Sequence, residues 1–505
     1  MPKPSSRLEK AKLNILWSAV QQIVNFICKM ILPPMIISTY GSAYNGMVAS
    51  ITQFLSAVGF LRVGVAGAFR VALYKPLAEN DVDRVSAVVK GTERYLQKLG
   101  LVIAGYVLLM TLAYPRLAVP EYPFWDVAAL VLAVGLCTFA EDFFGITYTQ
   151  LLTAGQKQYI DNAIRTVFVL LTTVFSVAFI SGGFSLQAVK ALGAVLFVAQ
   201  VVFLKRYASR EYRIRHDAVP DPHALGARWG AMWHSIANIV HENVDVFVLT
   251  LFTDVKIVSV YSVYRQVCSG IGSVLGIGTT GLEAAFGEMW AKGQAESFRR
   301  NLRLFEYFVS GFVSIVVATM GLMILPFVSL YVRGARDVEY VVPVYAAVIA
   351  AAYALLCIER PYRIVIQAAG HYQETKQGRL WQAAINAGVT TALVQPFGLV
   401  GTAVGTLAAN TFGVAQYFWY TYRTLVRVPV WDGLKRMAWT FLNTVCTCLV
   451  CVEYVRQFAY TDWVHWSLCS AGSLGIGAGV FVVSSLLFYR EDLRQVIKLV
   501  KRNRV

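Results

Sequence analysis

Long apolar runs recur along the whole 505-residue chain, near 14–38, 46–72, 99–119, 124–148, 162–181, 184–204, 229–253, 257–285, 304–330, 341–366, 380–396, 399–422, 437–457 and 465–489. A run of about 20 apolar residues, wound as a helix, is as long as the hydrocarbon core of a bilayer is thick. The spacing predicts an all-α polytopic membrane protein with about 14 transmembrane helices. Composition agrees: 57% of residues are hydrophobic and only 15% are charged, against about 25% charged in soluble chains. A soluble enzyme, a disordered chain and a disulfide scaffold are excluded on that ground. The eight cysteines all fall in apolar stretches, and Cys448 and Cys451, although spaced as CxxC, have no second pair or histidines beside them. They read as small, reduced core residues, with no metal site expected.

The net charge of +16 would suggest nucleic acid in a soluble protein. Here it sorts by loop. Lys3 to Lys12, Lys75 to Lys98, Lys205 to Arg215, Lys292 to Arg303, Arg423 to Arg436 and Arg490 to Arg504 form one basic set, while turns such as Tyr40-Gly41-Ser42 and Ser181-Gly182-Gly183 carry no charge. The excess of cytoplasmic Lys and Arg that orients membrane proteins accounts for this alternation. It places both termini in the cytoplasm, requires an even number of spans and leaves nothing for nucleic acid to explain. The first apolar run lacks a small-residue cleavage site and is expected to stay as a span.

The sequence also matches itself. Tyr44, Gly59, Gly64, Ala68 and Phe69 match Tyr261, Gly276, Gly281, Ala285 and Phe286 at an offset of 217, and Ala154-Gly155 matches Ala369-Gly370 at 215. Six spans separate the copies, an even number, so the halves enter the membrane in the same sense as a parallel repeat. The expected organisation is a six-helix lobe over 1–217, a second over 218–430, and an appended helix pair with a basic tail over 431–505.

Two six-helix lobes, an extra helix pair and no soluble domain resemble the polysaccharide flippases of the multidrug/oligosaccharidyl-lipid/polysaccharide exporter superfamily. Asn14-Ile15-Leu16-Trp17, Tyr40-Gly41, the Gly59-to-Gly64 stretch, Leu152-Thr153-Ala154-Gly155-Gln156, Asn243-Val244-Asp245 and Val260-Tyr261-Ser262 carry the resemblance. It implies an alternating-access transporter of the bacterial cytoplasmic membrane that moves a polyprenyl-diphosphate-linked oligosaccharide to the outer leaflet for surface polysaccharide synthesis. The implied partners are that lipid-linked cargo, membrane lipids, a coupling proton or sodium ion, and polysaccharide assembly proteins. An ion-coupled drug or metabolite exporter on the same scaffold is the alternative. A membrane polymerase or glycosyltransferase is a third, disfavoured because no outer loop exceeds about twenty residues. The chain is read as a transporter without cofactors. No G-x-x-x-x-G-K-[ST] run is present to cradle ATP phosphates, His241-Glu242 lacks the second histidine of a zinc helix because position 245 is Asp, and Asp81-Val82-Asp83 lies in an ordinary acidic loop.

Charges inside spans mark candidate sites, since each costs about 2.5–3.5 kcal/mol at a helix centre. Arg62 lies about 12 Å deeper than Arg70, which can snorkel, and Arg265 sits at comparable depth in the other half. A guanidinium fork suits a diphosphate; the competing reading of each is a structural ion pair. His234, Asn238, His241, Glu242 and Asp245 fall at helical spacings and form one polar stripe, in which Asp245, Glu242 and His241 are candidates for ion coupling. Lys29, within one position of the repeat equivalent of Asp245, is a candidate for the cargo or for Asp245 itself. Pro33-Pro34 is expected to break the first helix. Glu141 is either a coupling carboxylate or the partner of Arg165, and Glu359 and Arg360, about 100° apart on their helix, must face different neighbours. Tyr44 and Tyr261, with Tyr40 and Tyr264, suit sugar rings or an interfacial aromatic belt, and Trp463 and Trp466 suit the belt.

Overall fold

The structure, a computed structural model, describes residues 7–140, 145–215, 217–220, 243–279, 281–458, 460 and 462–502. Among them the regular structure is helical. The helices are α1 (Arg7–Tyr40), α2 (Ser42–Ser56), α3 (Phe60–Glu79), α4 (Val82–Leu117), α5 (Phe124–Ala140), α6 (Ile146–Ala154), α7 (Gln158–Ser181), α8 (Leu186–Glu211), α9 (Asn243–Phe252) and α10 (Val255–Thr279). They continue as α11 (Leu282–Ala291), α12 (Ala295–Phe312), α13 (Ala318–Tyr331), α14 (Pro343–Ala368), α15 (Tyr372–Phe397), α16 (Leu399–Tyr420), α17 (Val430–Val455), α18 (Trp463–Phe488) and α19 (Arg490–Arg502). Eight of the helical stretches are long and apolar enough to cross a membrane. Several remaining spans are interrupted: a 3-10 turn at Ala57–Gly59 separates α2 from α3, and Gly281, at φ 84°, stands between α10 and α11.

The expected break at Pro33-Pro34 is absent, and α1 runs through both prolines to Tyr40. Proline removes a helix hydrogen bond and costs about 3 kcal/mol in water, but any irregular alternative in lipid strands more backbone groups than the two prolines do. Prolines at 76, 115, 326, 361 and 396 are likewise accommodated inside helices.

The chain divides into two compact units, one of Met1–Val260 with Gly334–Val338 and one of Tyr261–Arg333 with Glu339–Val505. In the first, α1 packs on α7, α5 on α4 and α8, and α3 on α6. Met47, Ile51, Leu55, Phe69 and Leu130 lie wholly buried at its centre. Gly46 allows α2 to press on the start of α10, since a Cβ there would lie 1.9 Å from the Val255 carbonyl oxygen.

In the second unit α16 packs on both α14 and α15. Gly401, Gly405, Ala409 and Gly413 fall four apart on one face of α16, the small-residue stripe that lets membrane helices approach closely. A Cβ at Gly401 would meet the Leu393 carbonyl oxygen at 2.3 Å, and one at Gly405 would meet Thr390 Oγ1 at 2.1 Å. The α17–α18 pair packs against α13, and against α12 through a cluster of Tyr307, Trp439 and Phe481. Trp466 belongs to this packing too, its indole N–H donating to the Met323 carbonyl at 3.1 Å.

The internal repeat reappears in the backbone. Left-handed residues Asn80, Gln156, Gly183 and Arg213 in the first half have counterparts Gly293, Gly370, Gly398 and Arg427, separated by 213, 214, 215 and 214 residues. The helix-end hydrogen bonds agree: Gln156 N–H donates to the Thr153 carbonyl and Lys157 N–H to Leu152, as Gly370 does to Gln367 and His371 to Ile366. The caps therefore superpose at 214, one residue away from the Ala-Gly letter match, because a left-handed φ after a helix is set by chain geometry and tolerates Gln as well as Gly at a modest cost.

Candidate functional site

The polar side chains within the spans sort into clusters inside each unit. In the first unit, α9 docks its polar residues on α2: the Gln53 amide N–H donates to Asn243 Oδ1, and Ser56 Oγ donates to the same oxygen at 3.1 Å. Asn45 Nδ2 donates to Ser259 Oγ at 2.7 Å, and Phe54 and Phe247 meet edge to face at 4.3 Å. Asp245 is buried within this patch at 6% exposure. His234, Asn238, His241 and Glu242 of the expected stripe lie outside the described residues, as does Glu141. Arg165 has a local partner, the Asp161 carboxylate one helical turn earlier at 3.1 Å, and also donates to Thr149.

Lys29 is exposed on α1 in the middle of its apolar stretch. Arg62 lies in the first turn of α3 directly after the 3-10 break, and its side chain is outside the description. The Arg70 Nε donates to Gln150 Oε1 at 2.8 Å. Tyr44 is half-buried and forms edge-to-face contacts with Tyr40 and Tyr122, while the Tyr40 hydroxyl donates to the Phe184 carbonyl.

Sequence reasoning overlooked a polar clasp at this end of the unit. Gly41 cannot cap α2 with a side chain; instead Asp337, nearly 300 residues away, accepts the Ser42 N–H at 2.9 Å and the Ser42 hydroxyl at 2.7 Å. Burial opposes ionisation of Asp337, but these two hydrogen bonds and the nearby Lys256 outweigh it and hold the carboxyl below its ordinary range. No local signal links residues so distant in sequence.

In the second unit, Arg265 on α10 is half-buried and donates to the Tyr261 hydroxyl at 3.4 Å. Tyr261 is 5% exposed, and Tyr264 is fully buried with its hydroxyl on the Tyr340 carbonyl at 2.9 Å. The adjacent charges of α14 diverge as their 100° separation requires. Glu359 points inward, 3.7 Å from both Arg363 and Arg379, with Gln382 donating to its other oxygen at 3.0 Å. Arg360 turns towards α10, where a Cβ on Gly276 would lie 3.5 Å from its Nη2. Its buried Nε has no hydrogen-bond partner, and Arg360 forms no ion pair among the described residues.

No family model matches the sequence, and no curated protein does. Solved structures do match. The lipid II flippase MurJ, in an inward closed conformation, superposes with a TM-score of 0.67 at 14% identity over 95% of this chain and 99% of its own. The fold is that of the MOP exporters. An inward-facing multidrug resistance MATE family transporter of the MOP superfamily gives a TM-score of 0.62 at 13% identity, over 80% of this chain and 94% of its own. The Vibrio cholerae MATE transporter VcmN in its bent form gives 0.51 at 13% identity, over 83% and 97%. With this fold and its long apolar helices, the chain is a multi-pass membrane protein.

Proposed function

We propose that this protein is an alternating-access flippase carrying a polyprenyl-diphosphate-linked oligosaccharide from the cytoplasmic to the outer leaflet of a bacterial cytoplasmic membrane, both its termini being cytoplasmic. The observation that carries the reading is the extent of the structural match. The 5% of the chain outside the MurJ superposition is about 25 residues, fewer than α17 and α18 contain together, whereas both MATE matches leave 17–20% of this chain uncovered. The likeness to a lipid flippase therefore reaches into the appended helix pair. The organisation into lobes over 1–217 and 218–430, with an appended 431–505 segment, belongs to the same proposal.

In this reading Arg62 and Arg265 take the diphosphate, Arg360 adds a third guanidinium, and Lys29 contributes a further cation towards the cargo. Tyr44, half-exposed, is placed to meet sugar; Tyr261, buried, acts through the Arg265 guanidinium that it accepts from. Asp245, Glu242, His241 and Glu141 remain the residues proposed to couple transport to a proton or sodium ion. At 4 Å and an effective dielectric near 20, each arginine–phosphate charge pair is worth about 4 kcal/mol before desolvation.

The test is reconstitution into proteoliposomes with a fluorescent polyprenyl-diphosphate saccharide and, in parallel, a cationic dye. Flipping of the saccharide, reduced in Arg62→Gln and Arg265→Gln and less so in the Lys variants, is expected. Dye efflux with no saccharide movement would replace this reading with the drug-exporter alternative.

A further inference from the structure

A cavity of about 330 Å³ opens at the basic end of the second unit, lined by Arg299, Arg303, Glu306, Asp432, Lys435 and Arg436 among others. It is enclosed by α12, the start of α17 and the α18–α19 junction. Its charged lining is four cations against two carboxylates, and part of it is fixed in place. Arg436 lies 3.1 Å from Asp492 and 3.8 Å from Glu306 and donates to the Arg303 carbonyl, while Arg299 Nε donates to the Val426 carbonyl at 2.9 Å. The Arg303 and Lys435 side chains take part in none of these contacts and are exposed at the rim. Glu306 is 5% exposed and engaged from within the protein: its Oε1 accepts the Tyr422 hydroxyl at 2.9 Å, the Tyr362 hydroxyl donates to its carboxylate, and Arg436 lies 3.8 Å from its Oε2.

The surroundings set the depth of this cavity in the membrane. Leu486, Leu487 and Phe488, in the last turn of α18, are exposed, as are Trp431 and Leu434 in the first turns of α17. Tyr489 and Arg490 follow at once, and α19 turns its Leu493 and Val496 onto the Trp439–Phe481 cluster. Lipid-facing apolar surface thus gives way to charge at the cavity mouth, as it does at the headgroup level of a bilayer.

We propose that this cavity binds an anionic membrane phospholipid through its headgroup, with the phosphate taken by Arg303, Lys435 and Arg299. Phosphatidylglycerol carries a net negative charge, whereas phosphatidylethanolamine and phosphatidylcholine are zwitterionic, so the net positive lining favours the glycerol headgroup.

The experiment is native mass spectrometry of the full-length protein from nanodiscs in which each of these lipids competes with an excess of phosphatidylcholine, with glycerol phosphate and phosphoethanolamine as soluble competitors. Stronger retention of phosphatidylglycerol than of either zwitterionic lipid is expected. Each of Arg303→Gln and Lys435→Gln, exposed positions outside the packed core, should weaken retention about fivefold, the equivalent of about 1 kcal/mol per basic residue. Equal retention of all three lipids, or unchanged retention in both rim variants, would overturn the proposal. Displacement by the soluble phosphoesters at concentrations comparable to lipid would also overturn it as a lipid site.

Discussion

Glu359 is the buried carboxylate whose role is easiest to mistake. It has no exposed surface and lies 3.7 Å from two guanidinium groups, those of Arg363 and Arg379. Arg379 is held in turn by Gln382 Oε1 at 2.7 Å, and Gly413 is what makes room, since a Cβ there would come within 2.5 Å of the Glu359 carboxylate. At 3.7 Å and an effective dielectric near 20, each ion pair is worth about 4.5 kcal/mol before desolvation. Removing one partner of such a pair leaves the other charge buried and costs about 3–5 kcal/mol, whereas replacing both by apolar groups of similar size costs little. Arg363, partly exposed, can turn to water; Arg379, 7% exposed, cannot. Glu359→Met and Arg379→Met should therefore each lower the melting temperature of the detergent-purified protein strongly, and the double variant should melt well above either. Costs that simply add in the double variant would refute the pairing. A Glu359→Gln protein of normal stability that has lost its ion dependence would make this residue a coupling carboxylate instead.

Four other outcomes follow from named contacts. Gly46→Ala should cost about 3 kcal/mol, because the new methyl meets the rigid backbone of Val255; wild-type melting would show that α2 and α10 can part without penalty. Arg360→Gln should leave melting unchanged or raised while reducing saccharide flipping, and full flipping at normal abundance would make Arg360 a bystander. Asp337→Ala should cost about 1 kcal/mol as a lost helix cap. Because the folded-state pKa of Asp337 is depressed, its contribution is complete above the ordinary carboxylate range and disappears as pH falls through the lower folded value. Acid melting curves of wild type and Asp337→Ala that converge at low pH are expected, and curves that stay parallel would contradict the assignment. Cysteines placed at Phe184, expected outside, and Val219, expected inside, should divide under an impermeant thiol reagent in intact cells, and labelling of both or neither would overturn the topology.

The helical class, the spans and the repeat were legible in the sequence because one requirement, hiding the backbone from lipid, outweighs every local preference. That same dominance is why Pro33-Pro34 misled. A rule calibrated in water assigned the break to proline, whereas the breaks fall at Ala57–Gly59 and at Gly281. The basic tail at 490–502 is also an amphipathic helix, a spacing that Leu493, Val496 and Ile497 already carry in the sequence. Asp161, the i−4 partner of Arg165, is legible by the simplest spacing rule. Asp337 as the cap of α2 and Arg360 as a guanidinium without an ion pair among the described residues are beyond reach, since both depend on which distant segments meet.

The sorting of charge in the second unit bears on the choice between flippase and drug exporter. A cleft for cationic drugs calls for a carboxylate left to attract them. Two carboxylates are buried in the described membrane helices of this unit, and both are already engaged by arginine: Glu359 by Arg363 and Arg379, and Glu306 by Arg436. The charge left over is Arg360, a cation turned towards α10, where it shares a helix face with Gly276. Holding a guanidinium that has no ion pair among the described residues inside a membrane helix costs free energy that packing does not return. On the flippase reading proposed above, an anionic cargo would return it and a cationic one would add to the cost.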